Sequence, residues 1–107
     1  MASMVVGIDP GLADTGYAVL ETGGPSGPRV VEAGLLKTEP GRPLAQRLAV
    51  LHRGLARLFQ AYPAEAVAVE ELYTAYRHPR TALLMAHARG VVLLAAAQQG
   101  MPVYHYP

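Results

Sequence analysis

A chain of 107 residues has room for one small core and not for two domains. Its residues are 51% hydrophobic and 16% charged, a balance that folds rather than staying disordered. The lack of cysteine excludes disulfide, thiol and zinc–thiolate chemistry, and a net charge of +1 does not by itself point to a polyanion. No basic region followed by a long apolar stretch opens the chain, so no secretory leader is expected, and a reducing cytoplasm is allowed.

Val5, Val6 and Ile8 make a short β-prone run that Pro10-Gly11 stops at once, so a buried strand should deliver Asp9 to its C-terminal tip. A carboxylate there is costly to desolvate unless it is paired, protonated or bound to a cation. Leu12-Ala13-Asp14-Thr15-Gly16 reads as a turn and Tyr17-Ala18-Val19-Leu20 as a second strand. The Gly23–Pro28 cluster is a loop, and Arg29 to Lys37 forms a third strand, most simply completing an antiparallel meander.

Pro40-Gly41-Arg42-Pro43 announces a helix, with Pro43 suited to its first turn. Leu44, Leu48, Leu51, Leu55, Leu58 and Phe59 repeat at helical spacing, while Gln46, Arg53, Arg57 and Gln60 fall on the opposite, solvated side. Tyr62-Pro63 ends this helix. Ala66-Val67-Ala68-Val69 then repeats the opening pattern, a short apolar strand tipped by Glu70 and Glu71. If the two strands are parallel neighbours, Asp9 and Glu70 stand side by side, an arrangement suited to a hard cation such as Mg²⁺.

A second helix is expected from about Thr81 to Gln99, where only His87, Arg89 and Gly90 interrupt the apolar run from Ala82 to Ala97. It reads as too short and too interrupted to cross a membrane. Being apolar nearly all round, it must bury more than one face, and a symmetric copy is the economical cover. Gly100 caps it, and Met101 to Tyr106 reads as the last strand. The order β-β-β-α-β-α-β sets a meander beside a parallel βαβ unit in a mixed α/β sheet.

Charge is distributed unevenly. All eight acidic residues lie between Asp9 and Glu71 beside six Lys/Arg, a net of −2. From Leu72 onward there is no acid, only Arg77, Arg80, Arg89 and three histidines. An acid-free tract next to a candidate metal ligand suits an approaching polyanion.

Gly7-Ile8-Asp9-Pro10-Gly11, Thr15-Gly16-Tyr17-Ala18-Val19, Val67-Ala68-Val69-Glu70-Glu71, the helix around Ala88-Arg89-Gly90-Val91, and Pro102-Val103-Tyr104 resemble, in order and spacing, the RuvC family of Holliday-junction resolvases. The resemblance implies a ribonuclease-H-like fold: a five-stranded mixed sheet with flanking helices, as one domain over residues 1–107. The family's C-terminal helices and further acidic ligands have no counterpart in this chain, so the domain is expected to be incomplete there, with half an active site and poor cleavage alone. By the same resemblance the activity is Mg-dependent (or Mn-dependent) hydrolysis of phosphodiesters in four-way junction DNA during recombination and repair. A cytoplasmic homodimer, working beside branch-migration proteins and away from membranes, is implied too.

Carried over residue by residue, Asp9 and Glu70 are the catalytic metal ligands, and Glu71 is a solvated neighbour. Tyr73 takes the place of an aromatic that stacks on an unpaired base, an interaction worth about 1–3 kcal/mol. Arg77, His78 and Arg80 follow on a loop placed to meet phosphates. Packing or interface roles suit His87 and Arg89. Three other readings stand beside this one: a YqgF-like RNA-processing nuclease, an actin-like ATP-binding lobe, and a non-catalytic junction-binding or dimerisation module.

Overall fold

The computed structural model describes residues 3–71 and 78–107. Strands β1 (Ser3–Asp9), β2 (Asp14–Thr22) and β3 (Arg29–Lys37) form the meander. Helix α1 (Leu44–Ala61), strand β4 (Ala66–Glu70), helix α2 (Pro79–Gln98) and strand β5 (Val103–Tyr106) complete the chain. One five-stranded sheet results, in the order β3-β2-β1-β4-β5. β1 is antiparallel to β2 but parallel to β4, and β4 is parallel to β5. The carboxyl ends of β1, β4 and β5 therefore share one edge, and β3 also ends there because Lys37 pairs with Asp14.

Alternation along the strands selects the core face. Val6 and Ile8 on β1 lie in register with Val67 and Val69 on β4, and Val6 lies opposite Val19 on β2. All five are buried on one face. Leu51, Leu55, Leu58 and Phe59 of α1 and Ala88, Val92, Ala95 and Ala96 of α2 pack against them in a single cluster. The i, i+4, i+7 spacing in α1 is the apolar stripe read from the sequence. Small side chains on α2 seat it in the core, with Val91 and Leu93 packed against the same cluster, while Leu83 (63% exposed) and Leu94 (52%) turn outward.

Three expectations need correction. The turn after Asp9 is shorter than read, because Asp14, Thr15 and Gly16 already belong to β2, with Gly16 opposite Asp9. Side-chain bonds from Thr15 close the loop, which frees the backbone of these residues for sheet pairing. Helix α2 starts two residues early, at Pro79, whose missing N–H and fixed φ suit a first helical position. At 20 residues, with mean hydropathy 1.3 over an 18-residue window, α2 is also long and apolar enough to cross a membrane by those two measures. The expectation that it is too short does not hold. What ties it to this domain is the seating of Ala88, Val92, Ala95 and Ala96 in the core.

Candidate functional site

Register brings the two carboxylates together. Ile8 pairs with Val69 in the parallel β1–β4 ladder, so the next residues, Asp9 and Glu70, emerge side by side at the strand tips. Asp9 is exposed and Glu70 half-buried. A hydrogen bond with Asp9 holds the Glu70 carboxyl above the ordinary carboxylate range, with repulsion from the Asp9 charge and partial burial adding to it. Two carboxyl groups close enough to share a proton in this way are close enough to share a cation instead.

A third strand tip joins them. Tyr106 on β5 pairs with Glu70, and its phenol is pushed above its ordinary pKa by burial and by the charges of Glu70 and Asp9. The backbone N–H of Glu71 donates to the Tyr106 carbonyl at 2.7 Å, which holds the chain leaving Glu70 against β5. Tyr106 was missed as a neighbour of the carboxylates. Its signal in the sequence was slight: an apolar strand, parallel to the other two, that must end on the same edge.

The loop behind Asp9 is held from two sides. Thr15, fully buried, donates from Oγ1 to the Gly11 carbonyl at 2.6 Å and accepts from the Gly11 N–H at 3.2 Å. A Cβ on Gly11 would lie 2.3 Å from the Asp14 carbonyl oxygen, so only glycine fits. From the other side, the buried Thr38 donates through Oγ1 to the Leu12 carbonyl at 2.6 Å and through its backbone N–H to Ala13 at 3.0 Å. These bonds stabilise one conformation of the segment that follows Asp9, each net by about 1 kcal/mol.

The donor set fits a hard divalent cation, since Asp9 and Glu70 offer carboxylate oxygens and no sulfur or imidazole. Among the described residues no group of three or more His, Cys, Asp or Glu is clustered to hold a metal. Among the described residues, Asp9 and Glu70 are the two carboxylates that would hold such a cation. Glu71 is exposed at the strand end. His78 and Arg80 are exposed at the start of α2. His87 is exposed, whereas Arg89 bonds to the ring of His105 on β5, with its Nε left without a partner among the described residues. Tyr73 and Arg77 lie outside the described residues.

The family model described as crossover junction endodeoxyribonuclease RuvC matches residues 5–107. This chain belongs to the RuvC family. RuvC of Rhodopirellula baltica is 48% identical over 107 residues, 98% of this chain and 58% of its own length. RuvC of Pelotomaculum thermopropionicum is 43% identical over 96% of this chain and 62% of its own. Among solved structures, T. thermophilus RuvC in complex with Holliday junction substrate superposes with a TM-score of 0.89 at 36% identity, covering 97% of this chain and 62% of that one. The chain thus spans about three fifths of the length of these RuvC relatives. The match establishes the RuvC-type, ribonuclease-H-like sheet expected from the sequence and places the chain in a family of metal-dependent nucleases. It does not favour the YqgF-like or the actin-like reading.

Proposed function

We propose that this chain carries the catalytic sheet of a structure-specific DNA endonuclease that resolves four-way junctions in recombination and repair. The observation that supports the reading is the contact between the Asp9 and Glu70 carboxyl groups at adjacent parallel strand tips. Together they would hold Mg²⁺, or Mn²⁺, through hard oxygen ligands. When bound, such a metal polarises a phosphoryl oxygen and lowers the pKa of its water. The residues around it have separate tasks. Thr15 and Gly11 keep the Asp9 carboxylate at the strand tip, and Tyr106 closes the side toward β5. Arg80, with Arg77 and His78, meets phosphates beside the cut, while Tyr73 stacks on an unpaired base.

With two carboxylates among the described residues, the chain by itself is expected to bind junctions and to cut them poorly. That same observation favours one second reading, a junction-binding or dimerisation module without cleavage. In it, Asp9→Asn leaves junction binding intact or improved. The outward Leu83 and Leu94 of α2 support a homodimer formed through this helix. In the cell the protein would work in the cytoplasm on chromosomal junctions, alongside branch-migration proteins.

The deciding experiment titrates the chain with a synthetic four-way junction and with a linear duplex of the same sequence, with and without MgCl₂. Preferential junction binding is expected. Equal affinity for both DNAs refutes the function, and robust symmetric nicking by this chain alone refutes the claim of an incomplete site.

A further inference from the structure

Beside the carboxylates, on the β3 flank of the same sheet edge, a notch of about 500 Å³ opens between the end of β3 and the first half of α1. Lys37, Arg42, Arg47 and Arg53 line it, opposed by one acid, Glu39. The cations are not equally engaged. Lys37 contacts Asp14 at 3.2 Å and Arg42 contacts Glu39 at 3.2 Å, both exposed pairs of the kind that contribute little and exchange readily. Among the described residues, neither Arg47 nor Arg53 has a carboxylate within ion-pair distance.

Arg47 is oriented in advance. Its Nε donates to Thr38 Oγ1 at 2.9 Å, and Thr38 is the buried residue that also grips Leu12 and Ala13 behind Asp9. Holding Nε leaves the two terminal nitrogens of the guanidinium as a fork, the geometry that suits two oxygens of one phosphate. A single hydrogen-bond chain therefore runs from the segment after Asp9, through Thr38, to a cation facing the notch.

We infer that this notch binds a backbone phosphate of the DNA strand lying across Asp9 and Glu70, with Arg47 and Arg53 as its main contacts and Lys37 and Arg42 recruited from their surface pairs. The inference rests on the junction-binding reading above and extends the DNA track to the far flank of the sheet from Arg80. Strand spacing sets the distance. β3 lies two strands from β1, about 10 Å away.

The test combines Arg42→Ala with Arg53→Ala, both exposed and outside the bonds that hold the Asp9 loop. Junction binding by the 107-residue chain is measured by fluorescence anisotropy over a range of salt, with Arg80→Ala in parallel. The double variant should bind about tenfold more weakly, with the slope of log K against log salt reduced by about 1 and thermal unfolding unchanged. Wild-type affinity in the double variant, while Arg80→Ala weakens binding, overturns the notch and leaves the junction reading standing. If the wild-type chain does not bind the junction, both fall. Inorganic phosphate is the second probe: if it stabilises the wild type but not the double variant, and junction affinity is the same for both, the notch is a small-anion site and the nucleic-acid assignment is overturned.

Discussion

Replacing Asp9 with Asn is expected to stabilise the metal-free protein at neutral pH, although it removes a metal ligand. The Glu70 carboxyl holds its proton more tightly in the folded chain than in the unfolded one, because Asp9 stands against it. Below the unfolded carboxylate range both states are protonated there and nothing is lost. As pH rises from that range toward the raised folded value, the unfolded chain releases the proton first. Stability falls across this window and stays low at neutral pH.

Asn keeps the volume of Asp and removes the charge. Asp9 is exposed and Glu70 half-buried, so the repulsion lies near the aqueous limit, about 1 kcal/mol for unit charges about 4 Å apart. For a domain of this size that is about 4 °C in midpoint. Thermal unfolding followed by circular dichroism, in chelator at acid and at neutral pH, provides the assay. The gain should be present at neutral pH and vanish once both carboxyls are protonated. Added MgCl₂ should raise the wild-type midpoint and leave the variant unmoved. A variant no more stable than wild type in chelator at neutral pH, or one that magnesium stabilises equally, would refute the shared carboxylate site.

The loop behind Asp9 offers two further tests. Gly11→Ala forces a Cβ to within 2.3 Å of the Asp14 carbonyl oxygen, so the loop must shift; a loss of about 1–3 kcal/mol and a smaller magnesium-induced midpoint shift are expected. Thr15→Val keeps the shape but removes both bonds to Gly11, which should cost about 1–3 kcal/mol in urea unfolding. Leu83→Glu with Leu94→Glu alters two outward positions on α2; sedimentation should show a dimer for wild type and a monomer for the variant, with an unchanged unfolding midpoint. A monomeric wild type at high micromolar concentration would remove the dimer.

Local signals were strong enough to read several elements directly. Strand β3 and helix α1 have the limits expected of them, because Gly-Pro punctuation and a leucine repeat act over a few residues. The reading failed where a side chain replaced a backbone turn. Nothing in Leu12 to Gly16 announces that Thr15 will close the loop and let β2 begin at Asp14. It also failed where location mattered more than composition. Tyr106, far from Asp9 in the chain, becomes its neighbour only because β5 adds to the sheet beside β4.

From its residues alone, then, the chain establishes two apolar strands that each end on a carboxylate, with two helices to cover them, because periodicity and turn chemistry are properties of short windows. Whether those carboxylates meet depends on strand order and register, and these are set by which face of each strand is buried together. Tertiary packing puts β4 against β1 with Val6 over Val67 and Ile8 over Val69. A slip of one residue would turn the buried valines to solvent, and that penalty is what holds Asp9 beside Glu70.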